Sequence, residues 1–290
     1  MIRNILFWLN NSRLFSLPMT ILSWVIIFTY SLKQGGNILN GILALVGISC
    51  AHLATNLFDD YMDYKNLPPN SQVAKCAYIK EGKATINDVL RVVLIYLFIA
   101  SIFGFILLLR CGLPVLFLAL IGGLITLIYS ELSKRGFSEV AVGTAFGPLF
   151  FEGVYYVMTN SFSIQVFVMS LAVVMFTIGL MYVHTVLDYE GDMCSHKKTL
   201  ACRLHDKSKA INGVFVVYGL GYLFTTILAL MLKNYFIFIT IFLIPLVFDM
   251  HKSLKSFTCG GEKSEFYKRL LKPRNLMIYY CVLIFLAFVL

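Results

Sequence analysis

Long apolar runs constrain this chain more than any single residue does. A helix needs about 20 apolar residues to cross the hydrocarbon of a bilayer. Runs of that order fall at 14–33, 37–62, 88–110, 113–131, 139–158, 162–187, 208–232, 234–250 and 274–290. The predicted fold is therefore an all-α membrane protein with about nine transmembrane helices, forming a single polytopic domain over residues 1–290. Composition agrees, since 59% of the residues are hydrophobic and only 13% are charged, against roughly a quarter charged in a soluble domain. Residues 1–18 carry Arg3, Asn10, Asn11 and Arg13, and no small-residue cleavage site follows the next apolar run. They read as a short interfacial helix before a retained first span.

The connections alternate between tight turns (Gly35-Gly36, Cys111-Gly112, Asn160-Ser161, Lys233-Asn234) and longer polar segments at 64–87, 132–138, 188–207 and 251–273. Of the 24 Lys and Arg residues, only Lys33, Arg110 and Lys233 lie on the tight-turn side. By the positive-inside rule the long loops and the N-terminus are cytoplasmic. The net charge of +9 is thus a topological signal, and no basic soluble module for a nucleic acid is visible. Seven cysteines, an odd number without a CxxC pair, argue against a disulfide framework.

Topology does not predict the two acidic clusters at cytoplasmic helix ends. The first is Asn56-Leu57-Phe58-Asp59-Asp60-Tyr61-Met62-Asp63. At 3.6 residues per turn Asn56, Asp60 and Asp63 share a face, with Asp59 one residue's rotation away. The second is Asp188-Tyr189-Glu190-Gly191-Asp192, where Asp188 and Asp192 stack at i and i+4. Like charges so placed destabilise a helix unless a cation joins them. Each cluster is trailed by basic residues: Lys75, Lys80 and Lys83 after the first, Lys197, Lys198 and Arg203 after the second. Two such ends on one membrane face suit Mg²⁺ ions, which take a few carboxylates plus phosphate oxygens, bridging a polyphosphate. Lys and Arg would take the oxygens the metals leave free, although positive-inside bias alone puts several basic residues there.

These motifs resemble the two aspartate motifs of UbiA-type intramembrane prenyltransferases. Arg13-Leu14-Phe15-Ser16-Leu17-Pro18 is similar to that family's entry to the first helix. Tyr129-Ser130, Gly136-Phe137-Ser138-Glu139, Phe146-Gly147-Pro148-Leu149 and the segment from Lys197 to Leu204 resemble the 1,4-dihydroxy-2-naphthoate branch, which makes menaquinone precursors. The resemblance implies nine transmembrane helices around a central cavity, with Mg²⁺ and an isoprenyl diphosphate at its cytoplasmic end. It further implies transfer of the prenyl chain to an aromatic acceptor, in a multi-pass protein of a bacterial inner membrane. Asp60, Asp63, Asp188 and Asp192 would be catalytic and, with Asp59, hold two Mg²⁺ ions. Asn56, Lys75, Lys80, Lys198 and Arg203 would bind the diphosphate. The chain departs from the pattern in three places: Asp59-Asp60 stands where Asn-Asp is usual, Leu67, Pro68 and Pro69 replace a further carboxylate, and His184 and Leu187 replace an Asn and an Arg.

Tyr129, Glu152 and His184 are the candidates for the acceptor pocket. An acid inside a span is expensive and usually faces a cavity, so Glu152 reads either as an acceptor contact or as a hydrogen bond to a neighbouring helix. His184 precedes Asp188 by one turn, and His52 precedes Asn56 by one turn; either serves the site or helix packing. Cys194, His196, Cys202 and His205 match no standard zinc spacing. The competing acceptors are 4-hydroxybenzoate, a lipid or a natural-product scaffold. The competing class is an ion-coupled secondary transporter, whose acids would lie at the midplane within inverted repeats.

Overall fold

The computed structural model describes residues 2–66, 76–194, 198–257 and 263–290, and no strand occurs among them. Eight helices in the described residues are long and apolar enough to cross a membrane, and Pro114–Tyr129 is a shorter apolar stretch of a ninth. The expected all-helical membrane fold is what the sequence forms. Leu67, Pro68, Pro69, Lys75, His196 and Lys197 lie outside the described residues. Contacts divide the chain into two compact units, one of Met1–Ile21 with Asn37–Ser130 and one of Leu22–Gly36 with Glu131–Leu290.

In the first unit α1 (Ile2–Asn11) leads through a 3₁₀ turn (Leu14–Ser16) into the start of α2 (Leu17–Lys33), whose residues from Leu22 onward belong to the second unit. Then follow α3 (Ile38–Asn66), the short α4 (Ala77–Lys80), α5 (Ile86–Cys111) and α6 (Pro114–Lys134). Thr85 begins α5 with a capping box, its hydroxyl accepting from Asp88 N–H at 3.2 Å while Asp88 Oδ2 accepts from Thr85 N–H at 3.0 Å. At the far end α3 and α5 are tied by Asn40, which accepts from Arg110 Nε at 2.5 Å and donates to Cys111 Sγ at 3.3 Å. The other end of the pair is an apolar cluster of Ala54, Leu57, Tyr78, Ile79, Val89 and Val93. Phe7 and Trp8 of α1 pack edge-on against Tyr78, with ring centroids 6.0 and 6.3 Å away. That anchors the expected interfacial helix.

The second unit holds α7 (Ser138–Thr144), α8 (Phe150–Thr159), α9 (Ile164–Leu187), α10 (Tyr189–Cys194), α11 (Lys207–Leu232), α12 (Ile244–Lys255) and α13 (Lys263–Val289). The predicted span 139–158 forms as one crossing, Ser138–Thr159, but not as a uniform α-helix: a π turn over Ala145–Leu149 lies between α7 and α8. Pro148 has no N–H to give the ladder and its ring crowds the preceding turn. The span predicted at 234–250 runs as 3₁₀ helix over Tyr235–Leu243 before α12 begins. The tighter spiral rises about 2 Å per residue, so a short apolar segment reaches further. The last span starts earlier than hydropathy places it, because α13 continues through Pro273 from Lys263. At the α9–α11 crossing the fit is reciprocal. A Cβ on Gly213 would stand 2.1 Å from the Tyr182 hydroxyl, and one on Gly179 would stand 2.5 Å from the Tyr218 ring. Glycine on each helix admits the partner's tyrosine, the small-residue packing by which membrane helices approach closely.

Candidate active site

α3 is 29 residues long. At about 1.5 Å per residue Asp60 lies roughly 33 Å from its start, just beyond the thickness of the hydrocarbon. The carboxylates of the first motif therefore sit in the last turns, beside the negative end of the helix dipole. Asp59 and Asp60 are also buried, at 8% and 4% exposure. Burial, mutual repulsion and the dipole all oppose charge here, so a cation is needed.

Arg13 supplies one. Its Nη2 lies 2.5 Å from Asp60 Oδ1 and 3.4 Å from Asp59 Oδ2. Burial alone would lower the pKa of the guanidinium, but the charges of Asp60 and then Asp59 outweigh it and raise it above the ordinary arginine value. Tyr78 donates to the other oxygen, Asp60 Oδ2, at 3.4 Å; burial and the Asp60 charge push this phenol up, so it remains a neutral donor. The Cys76 thiol reaches the Asp60 carbonyl at 3.2 Å. The Asn56 amide donates to the Ser12 carbonyl at 2.9 Å and to Ser16 Oγ at 3.1 Å. His52 is a packing and polar link, its ring nitrogens 3.1 Å from Ser16 Oγ and 2.7 Å from Thr20 Oγ1. Asp63 is half-buried one turn on, and Lys80 is exposed two residues after Tyr78. Tyr129 follows Thr126 by three residues on one face of α6, and the Thr126 hydroxyl meets Thr55 of α3 at 3.2 Å.

Arg13 is not among the site residues that the sequence pattern marks. Its position turns on backbone geometry: it is in the left-handed region (φ 60°, ψ 50°), and the chain folds back there onto a motif more than forty residues away.

In the second unit α9 ends at Asp188, its C-cap residue. The Asp188 carboxylate is about half exposed, with His184 Nδ1 at 3.7 Å from Oδ2. Asp192 is buried, and its N–H donates to the Asp188 carbonyl at 2.8 Å, which brings the two acids onto consecutive turns as the i, i+4 spacing implies. Glu190 pairs with Lys207. The His184 ring meets Phe266 edge-on at 5.6 Å.

The basic segment after the second motif is clasped by the 135–137 turn. Arg203 Nη2 donates to the Arg135 carbonyl at 2.6 Å, and its guanidinium lies 4.7 Å from the Phe137 ring centroid. Gly136 makes this possible, since it has φ +75° and a Cβ there would fall 1.5 Å from the Lys198 carbonyl oxygen. Lys198 itself is exposed. Of the zinc-like spelling, Cys202 is buried with its thiol toward the Tyr189 carbonyl and His196 is outside the described residues.

Glu152 is elsewhere. Its Oε2 accepts from Ser163 N–H at 3.2 Å, at the N-cap of α9. The 24 residues of α9 put that position roughly 36 Å from Asp188. This hydrogen bond to a neighbouring helix satisfies an orphan N–H at a positive helix end.

Among the described residues no three carboxylate, His or Cys groups close round a metal. The donors are hard carboxylate oxygens, the kind Mg²⁺ takes, and at the first motif Arg13 shows that positive charge is accommodated.

The fold, with acidic clusters at the ends of two of its long helices, defines a multi-pass membrane protein. Residues 16–271 match the model of the UbiA prenyltransferase family. The chain belongs to that family and is a membrane-embedded prenyltransferase. No individual curated sequence matches it. Among solved structures it is similar to a digeranylgeranylglyceryl phosphate synthase, at 15% identity and a TM-score of 0.67, over 99% of this chain and 100% of that one. It is also similar to a UbiA homolog from Archaeoglobus fulgidus bound to GPP and Mg²⁺, at 12% identity, TM-score 0.63, and 96% and 99% coverage. The same homolog bound to DMAPP and Mg²⁺ aligns at 12% identity and TM-score 0.67, covering 96% of this chain and 98% of that chain. At these identities the likeness is one of fold.

Proposed function

We propose that this protein transfers an isoprenyl chain from a polyprenyl diphosphate to 1,4-dihydroxy-2-naphthoate, a quinone precursor, at the cytoplasmic side of a bacterial inner membrane. The observation that carries the reading is the pair of acidic helix ends, Asp60 with Asp63 and Asp188 with Asp192, in a chain of this family. Both motifs serve one reaction. The four aspartates, supported by Asn56 and Asp59, would hold two Mg²⁺ ions. When bound, Mg²⁺ supplies positive charge that stabilises the leaving diphosphate. Lys75, Lys80, Lys198 and Arg203 are the candidates for the remaining phosphate oxygens, with Arg203 held in place by Arg135 and Phe137. His184 and Tyr129 are the candidates for the acceptor. The allylic C–O bond of the donor breaks with its electron pair leaving on the diphosphate, and the acceptor ring attacks the allylic carbon and then loses a proton. Helices that exclude water keep hydrolysis from competing. The naphthoate assignment is supported by the motifs at 136–139, 146–149 and 197–204, and the cytoplasmic side by the Lys and Arg bias of the long loops.

The test incubates purified protein with labelled isoprenyl diphosphates, Mg²⁺ and a panel of 1,4-dihydroxy-2-naphthoate, 4-hydroxybenzoate and a glycerol phosphate lipid. Prenylated naphthoate is expected, and EDTA should abolish it. Product only from another acceptor would replace the naphthoate assignment; no product from any, with no effect of EDTA, would overturn the enzymatic reading.

A further inference from the structure

We propose that Arg13 is the resting counter-cation of the first aspartate motif, and that it and a divalent cation exchange places on Asp60. The proposal rests on the prenyl-transfer reading for the presence of a metal at that motif, and it assigns to Arg13 a positioning role that reading does not contain.

Three observations carry it. First, Arg13 occupies the oxygen a metal would use: Nη2 is 2.5 Å from Asp60 Oδ1 and also reaches Asp59 Oδ2 at 3.4 Å. Mg²⁺ would bond that oxygen directly, so a cation held there would lie close to the guanidinium. Like charges at that distance repel strongly where the carboxylates are buried, and Asp59 and Asp60 are 8% and 4% exposed. Secondly, the other oxygen of Asp60 accepts from the Tyr78 hydroxyl at 3.4 Å, a neutral donor. Thirdly, the motif itself builds the turn that delivers Arg13. Asn56 holds the carbonyl of Ser12 at 2.9 Å and the hydroxyl of Ser16 at 3.1 Å, Ser16 Oγ donates to the Arg13 carbonyl at 2.8 Å, and Arg13 sits between them at φ 60°. An L residue rarely adopts that conformation without compensation, and here the compensation is the ion pair.

Exchange then follows from charge balance. A divalent cation arriving alone must displace Arg13 from a buried anion, whereas one arriving with a diphosphate leaves the freed guanidinium an anion of its own. Arg13 thereby keeps the empty motif charged and folded, and it disfavours occupancy by metal without substrate. This couples the two ligands, because each relieves the cost of the other.

The test uses Mn²⁺ alone, titrated into the full chain in detergent and followed by loss of the free-ion electron paramagnetic resonance signal. The relevant site is the one that Asp60→Asn removes. Arg13→Gln should tighten Mn²⁺ binding there by about tenfold or more, while Arg13→Lys, which keeps the charge, should stay within about threefold of the parent protein. Equal affinity in Arg13→Gln and the parent overturns the proposal, as does a site that neither protein shows. A second measurement needs no variant: Mn²⁺ should raise the rate at which an arginine-specific dicarbonyl modifies Arg13, read by peptide mass spectrometry, at least threefold. A flat rate overturns the exchange. Outcomes for the two readings separate cleanly. Transfer with an Arg13 indifferent to Mn²⁺ removes only the exchange, and an Arg13 that responds in a protein that prenylates nothing removes only the transfer reading.

Discussion

The two aspartate motifs solve one electrostatic problem in different ways. Asp59, Asp60 and Asp63 lie in the last turns of α3, and Asp188 caps the C-terminal end of α9, where the helix dipole disfavours an acid; Asp192 follows in α10. In the first, Asp59 and Asp60 are buried and Arg13 lies on them with Tyr78 behind. In the second, Asp188 is about half exposed with the His184 imidazole at 3.7 Å, and Asp192 is tied to it through the backbone. The first motif is part of the structure that holds α1, the entry turn and α3 together; Asp188 is about half exposed at the C-cap of α9, where solvent screens part of its charge. Carboxylates of equal chemical value can thus differ in what the fold asks of them.

Asp60→Asn and Asp188→Asn test this most directly. Each should lower prenyl transfer by about 100-fold or more, the scale on which removing one stabiliser of transition-state charge acts. Their stabilities should part. Asp60→Asn strips Arg13 of its nearest anion, and breaking a buried pair costs about 3–5 kcal/mol; with the Arg13 side chain 29% exposed, about 1–2 kcal/mol is the discounted expectation. Asp188→Asn should stay within about 0.5 kcal/mol of the parent. Thermal unfolding in detergent reads both, and equal losses would show that the motifs do not differ in structural weight.

The second motif has a structural commitment of its own, located one step away in the clasp at Gly136. Gly136→Ala places a Cβ 1.5 Å from the Lys198 oxygen at a φ of +75°. A strained backbone with a displaced segment costs about 1–3 kcal/mol. If Lys198 and Arg203 bind phosphate, kcat/KM for the diphosphate donor should also fall by about tenfold, with KM carrying most of it. Unfolding and steady-state kinetics together decide whether the clasp is purely structural: a lower Tm with unchanged kinetics would remove those two residues from the diphosphate site.

Much of this architecture is legible in the order of the amino acids. Hydropathy locates the long helices because lipid forces apolar runs of one length, and the i, i+4 spacing of Asp188 and Asp192 survives in the fold. The role of Arg13 is not legible there, because its partners are 46 and 47 residues away and a left-handed turn, not a periodicity, brings it back. Hydropathy also reads through Gly147-Pro148, although a proline inside a span is a standing signal for a broken ladder. The 3₁₀ stretch over Tyr235–Leu243 carries no such mark, since the same apolar residues would serve either spiral. The position of Glu152 within an apolar run marks it as costly, but the run does not show the Ser163 N–H from which its carboxylate accepts.

Glu152 is also where the smallest effect is expected, and it extends the comparison to helix ends of opposite sign. At the N-terminus of α9 its carboxylate accepts from the Ser163 N–H, so dipole and acid attract; at the other end of α9 dipole and Asp188 repel. Glu152→Gln keeps an acceptor oxygen for the N–H and removes only the charge. The loss should be below about 1 kcal/mol, the worth of one charge at a helix terminus, and prenyl transfer should stay within about twofold of the parent. A much larger fall in transfer at unchanged stability would mean that Glu152 meets the acceptor after all, because a residue that only caps α9 has no means of acting on the chemistry while leaving the helix intact.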